Sequence, residues 1–142
     1  MAKRILVPVD DSEHAREACK LVCTDFPDAE LVLLHVINPA EAGYSAQASL
    51  PSFSEEWYQE QKQRAEDLFA DVAESALECD VPIEHVIEVG KPTTTIVEYA
   101  EDNDVDHIVM GSHGRSGVSR ILLGSVAETV VRRSPVPVTV TR

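Results

Sequence analysis

Short, continuous apolar runs alternate along this chain with stretches whose apolar residues return every three or four positions. Residues 3–9 (Lys-Arg-Ile-Leu-Val-Pro-Val) and 30–37 (Glu-Leu-Val-Leu-Leu-His-Val-Ile) are runs of the first kind. Unbroken apolar runs of strand length predict strands buried on both faces. Residues 81–89, 106–110 and 136–141 predict three more. Between them lie segments of helical period. Residues 12–25 place Ala15, Ala18, Cys19, Val22 and Cys23 on one stripe, continued by Phe26. The segment from Ser54 to Cys79 does the same with Trp57, Tyr58, Ala65, Leu68, Phe69, Val72, Ala73, Ala76 and Leu77. Two shorter helices are predicted over 92–102 and 125–133.

The punctuation agrees with the periods. Asp10-Asp11-Ser12 ends the first strand and supplies helix caps. Phe26-Pro27-Asp28 stops the first helix, and Pro92 suits a first helical turn. Asp102-Asn103-Asp104 ends the third helix and Ser134-Pro135 the last. Ser125-Val-Ala-Glu128 reads as a capping box with Ser125 as the cap. Residues 38–53, small and polar with Pro39, Gly43 and Pro51, predict a long loop.

Five strands and four helices therefore alternate from the first strand to the last, the signature of an α/β fold: an open parallel sheet with helices on both faces. The length of 142 residues fits one domain, residues 1–142. Pro137 removes a ladder donor, so the last strand belongs at an edge. An edge without lysine invites pairing with a second copy of the chain.

Ligands of such sheets bind beyond the carboxyl ends of the strands, where the winding reverses. Three stretches are expected to meet there: Pro8, Val9 and Asp10 after strand one, His35 and Val36 at the end of strand two, and a glycine loop after strand four. That loop runs Gly111-Ser-His-Gly114-Arg115 and continues to Gly124-Ser125 at the start of the last helix. Glycines let a ligand approach the backbone, and a helix N-terminus presents N–H groups to an anion. Asp10 is placed to accept from ribose hydroxyls or to hold Mg2+. The Walker A and Gly-x-Gly-x-x-Gly patterns are both absent. A phospho-accepting receiver is excluded too. It shares the acidic pair Asp10-Asp11, but the third strand ends Glu88-Val89-Gly90 without an acceptor Asp, and no lysine follows the fifth.

Charge changes the picture in two ways. The net charge is −13, from 12 Lys+Arg against 25 Asp+Glu, and only Lys3, Lys20, Lys62 and Lys91 are lysines. Such a surface argues against nucleic acid as a partner and suits a halophilic source, where salt screens self-repulsion. Locally the sign reverses: residues 111–133 carry Arg115, Arg120, Arg132 and Arg133 against Glu128 alone. Arg132 and Arg133 answer a helix C-terminus, whereas Arg115 and Arg120 flank the glycine loop, which adds Arg115 to the candidate binding residues. Cys19, Cys23 and Cys79 form no Cys-x-x-Cys pair and read as thiols in a reducing compartment. Apolar runs too short to span a bilayer predict no membrane association and a cytoplasmic protein.

The spacing Gly111-x2-Gly114-x9-Gly124-Ser125, the opening Ile-Leu-Val-Pro-Val-Asp10-Asp-Ser12 and the close Ser134-Pro-Val-Pro-Val together resemble the nucleotide-binding members of the universal stress protein family, over essentially the whole chain. The resemblance implies a Rossmann-like sheet of the adenine nucleotide alpha hydrolase type, ordered 3-2-1-4-5, and binding of ATP or AMP, with Mg2+ arriving on the nucleotide near Asp10. It implies adenine at the Val36 backbone and ribose at Asp10. The phosphates would lie on Gly114, Gly124, Ser125 and Val126, with Pro8, Val9, Met110, Gly111 and His113 lining the site. It further implies a homodimer through residues 136–141. Asp11 departs from the glycine common there and adds negative charge. Two other functions stay open on the residues: a slow ATPase or phosphotransferase, for which His113 is the one loop candidate, and a nucleotide-independent dimeric interaction module. The acidic surface gives a first prediction: the unfolding midpoint rises with KCl concentration, and thermal melts indifferent to salt would refute the halophilic reading.

Overall fold

A computed structural model gives the architecture; it describes residues 3–10, 14–40, 55–74, 81–112 and 124–141. Five strands, β1 (Arg4–Pro8), β2 (Glu30–Ile37), β3 (Ile83–Val89), β4 (His107–Gly111) and β5 (Val138–Thr141), form one sheet in the order β3-β2-β1-β4-β5. Every pairing is parallel. The helices are α1 (His14–Asp25), α2 (Glu55–Glu74), α3 (Pro92–Asp102) and α4 (Ser125–Arg133). This is the open, doubly wound sheet expected from the alternation.

The winding explains which helix covers which face. From β1 the chain moves through β2 to β3 on one side, then returns to place β4 and β5 on the other. Right-handed crossovers in opposite directions put their helices on opposite faces. Accordingly Ile5, Val7, Leu31, Leu33 and Val109 pack against Ala18, Cys19 and Val22 of α1 and Ala65, Phe69 and Val72 of α2. Leu6, Val32, Leu34, Ile108 and Met110 pack against Ile96 and Ala100 of α3 and Ala127 and Val130 of α4. Strand β1 is buried on both sides, with Ile5, Leu6 and Val7 all at 0% exposure. Each such side chain contributes about 1.5–3 kcal/mol relative to exposure.

At the amino end of the sheet Arg4 ties the layers together. Its main-chain N–H donates to Asp106 Oδ2 at 2.9 Å and its Nε to the Asn103 carbonyl at 3.0 Å. Its Nη2 reaches Glu84 Oε1 at 3.3 Å and the Tyr99 hydroxyl at 3.4 Å. On the helical face, Arg16 of α1 pairs with Asp71 of α2, and its hydrogen bond holds the Asp71 carboxyl below the usual range. No helix is long and apolar enough to cross a membrane among the described residues.

Three local expectations are corrected. The last strand begins at Val138, not Val136. Pro137 lies just before it and uses only its carbonyl, which accepts the Ile108 N–H at 2.9 Å, while Val136 is held in a turn by the Ser134 hydroxyl. The edge position that Pro137 predicted holds. Ser125 is not the cap of α4. Gly124 is, with extended φ −65° and ψ 161°, and its carbonyl accepts the Glu128 N–H at 2.9 Å. Glu128 turns instead to Arg132, one helical turn on, at 2.6 Å. Third, of the two cysteines among the described residues, Cys19 is a buried thiol outside any disulfide, whereas Cys23, at the partly buried margin of the core, is disulfide-bonded.

His107, in β4 beside the Phe26 ring, contacts the Thr139 hydroxyl through Nε2 at 2.7 Å. Burial, and secondarily the charge of Lys3, push its imidazole below the ordinary histidine value. The folded state therefore binds this proton less readily than the unfolded chain. Its contribution is complete above the unfolded value, about 6.5, and is lost as pH falls through the folded value. Denaturant melts should show stability declining from pH 7 towards pH 5.5, and His107→Gln should flatten that slope; an unchanged slope would refute the assignment.

Candidate functional site at the carboxyl ends of β1, β2 and β4

The reversal of winding falls between β1 and β4, at the carboxyl ends where the described candidate residues end or follow their strands. Val9 and Asp10 follow β1 directly; Val9 is buried and Asp10 half-buried. The Val9 N–H donates to the Leu34 carbonyl at 2.8 Å, carrying the β1–β2 ladder one residue past Pro8. His35 Nδ1 meets the Val9 carbonyl at 2.7 Å. A carbonyl only accepts, so Nδ1 carries the proton. Val36 and Val126 are partly buried against the same apolar cluster, which contains Met110.

Strand β4 leads into the glycine segment. Ser112, nine-tenths and more buried at 5% exposure, donates its N–H to the Thr141 carbonyl at 2.8 Å. Its own carbonyl accepts the Gly124 N–H at 2.6 Å. Ser112 and Gly124 are thus direct neighbours, and Gly111, Gly124 and Ser125 come together although far apart in sequence. His113, Gly114 and Arg115, with Arg120, lie outside the described residues, as does most of the 38–53 stretch.

The glycines do different work. Gly111 is demanded by packing: a Cβ there would lie 2.2 Å from the His14 Cβ and 3.3 Å from its Cα. The first residue of α1 rests directly on the end of β4. Gly124 is the cap of α4 and brings no side chain to occupy the first-turn amides. The N–H groups of Ser125, Val126 and Ala127 therefore have no intrahelical partner, and with the helix dipole they make a favourable place for an anion. The donor set suits a phosphorylated ligand: helix amides for phosphate, a carboxylate at Asp10 for hydroxyl groups, and apolar Val36, Met110 and Val126 for a flat ring. Among the described residues no three His, Cys, Asp or Glu side chains gather as a metal site.

Two contributors were not anticipated. His14 was legible only as a polar residue in the first turn of a helix, and Ser112 as a small residue between two glycines. Nothing in their local pattern signals the contacts with Gly111 and Gly124, which are long-range.

The family comparison agrees with this geometry. The family model described as the universal stress protein family matches residues 1–142. Universal stress protein MJ0577 of Methanocaldococcus jannaschii is 34% identical over 157 aligned residues, covering 100% of this chain and 96% of the relative. Its solved structure superposes with a TM-score of 0.83 over 99% of this chain and 96% of that one. More distant solved structures share the fold. One is a universal stress protein from Archaeoglobus fulgidus in complex with dAMP (TM-score 0.66, 19% identity, 99% and 98% coverage). Another is a family protein from Arabidopsis thaliana with AMP bound (TM-score 0.65, 20% identity, 97% and 90% coverage). By sequence over its full length and by the topology of its sheet, the chain belongs to the universal stress protein family.

Proposed function

We propose that the chain binds an adenine nucleotide, ATP or AMP, at the β1/β4 switch and acts in stress response as a regulator whose state depends on that ligand. The observation that carries the reading is the meeting of Val9-Asp10, Val36 and the N-terminus of α4, whose glycine cap brings no side chain, at one end of the sheet. The AMP and dAMP complexes of distant family members support it. In this reading Val36 flanks the adenine and Asp10 accepts from the ribose. The phosphates rest on Gly124, Ser125 and Val126 together with Gly114, and Mg2+ enters with the nucleotide beside Asp10. Pro8, Val9, Met110, Gly111, His113 and Arg115 complete the surroundings. The protein works in the cytoplasm as a homodimer through residues 136–141; β5 is a sheet edge with all four residues partly exposed.

Two glycine substitutions separate binding from folding. Gly124 has a backbone conformation that valine adopts readily. Gly124→Val therefore keeps the fold and the melting profile of the free protein, but lowers AMP affinity at least about tenfold by crowding the helix amides. Calorimetric titration with unchanged affinity would overturn the phosphate placement. Gly111→Ala forces α1 and β4 apart at His14, so it lowers the melting temperature without ligand by about 1–3 kcal/mol of overpacking. For the wild-type chain, AMP at a hundredfold excess over Kd adds about 2.7 kcal/mol of stability, read as a rise in melting temperature.

A further inference from the structure

The β1–β2 ladder contains a substitution at its carboxyl end. Glu30 N–H to the Lys3 carbonyl at 2.7 Å and Val9 N–H to the Leu34 carbonyl at 2.8 Å turn the even-numbered residues of β2 towards β1. Leu31 N–H to the Pro82 carbonyl and Gly90 N–H to the Ile37 carbonyl turn the odd-numbered ones towards β3. In a parallel ladder the donor following the Val9–Leu34 bond is the Val36 N–H, and its acceptor is the Val9 carbonyl. Among the main-chain bonds of the described residues that one is missing. The Val9 carbonyl takes its hydrogen from the His35 ring instead, at 2.7 Å.

We infer that His35 is a positioning residue for base recognition: by occupying the Val9 carbonyl it keeps the Val36 N–H open for an acceptor nitrogen of the bound base. The inference rests on the adenine-nucleotide reading above. The same bond holds the end of β1 in place, so Val9 and Asp10 keep their position while Val36 is released. His35 touches no phosphate in this scheme and performs no chemistry. Its function is to exchange one ladder donor for another. An asparagine amide nitrogen stands at nearly the same distance from the backbone as histidine Nδ1 and can replace it, whereas leucine cannot.

The test uses the intact chain, with AMP and ribose 5-phosphate as ligands and amide hydrogen exchange of Val36 in the free protein. In the wild type the Val36 amide exchanges rapidly and becomes protected on adding AMP. In His35→Leu the Val36 N–H closes onto the Val9 carbonyl and is protected without ligand. AMP affinity then falls about fivefold, the worth of one hydrogen bond, while ribose 5-phosphate affinity is unchanged. His35→Asn keeps wild-type behaviour. Unchanged AMP affinity in His35→Leu, equal losses for both ligands, or a Val36 amide already protected in the free wild type would each overturn the role of His35 and leave the nucleotide reading standing. Failure of the wild type to bind AMP would overturn both. Exchange at core amides such as Leu33 reports in the same spectra whether a variant has lost its fold.

Discussion

Burial of β1 on both faces is the constraint from which the rest follows. Ile5, Leu6 and Val7 are without exposure, so the strand needs a neighbour on each side and a helical layer above and below. A chain that supplies β2 and β3 first must return across the sheet to supply β4. That return reverses the direction of winding and sends α3 and α4 to the face opposite α1 and α2. The crevice at the carboxyl end of β1 is a geometric by-product of covering one apolar strand completely. The proposed site occupies a place the packing problem had already opened.

In the proposed reading, the groups offered to a ligand at this crevice are mostly main-chain atoms: amides of the first turn of α4 and the end of β2. Their availability depends on what neighbouring residues do not do. Gly124 brings no side chain to the helix amides, and Gly111 lets the first residue of α1 sit against the end of β4. Side-chain identity at the site thus acts chiefly by subtraction. This suits an acidic chain. Three of its few described cations are engaged in structural ion pairs, Arg4 with Glu84 and Glu30, Arg16 with Asp71, and Arg132 with Glu128. Amides and a helix dipole attract a phosphate without drawing on that small supply.

The fold was legible because parallel strands buried on both faces write themselves as unbroken apolar runs, of which Leu31 to Leu34 is the clearest. The helices were legible because Ala15, Ala18, Cys19 and Val22 return at helical spacing. The sheet order was less so: composition and period place a strand in the sheet without saying beside which other, and it came from family resemblance. At the candidate site the glycine spacing pointed to the segment after β4 but blurred the roles of its ends. The Ser-x-x-Glu pattern at 125–128 suggested a capping serine, yet the Ser112 carbonyl had already claimed the Gly124 N–H and moved the helix start by one residue. The bond of Cys23 was equally hidden, since helical spacing to Cys19 says nothing about a partner elsewhere in the chain.

The pairing of Ser112 with Gly124 bears on how members of such a family differ in length. Two main-chain bonds, Ser112 N–H to Thr141 and Gly124 N–H to Ser112, stitch the departure from β4 to the start of α4 and to the neighbouring strand. Ser112 and Gly124, with eleven residues between them in sequence, are hydrogen-bonded neighbours. Lengthening a segment whose ends are already joined costs only about 0.6 kcal/mol per doubling. Extra residues added there displace neither sheet nor helix. The position is a natural port for inherited insertions or for a grafted reporter peptide, with the first turn of α4 keeping its place behind it.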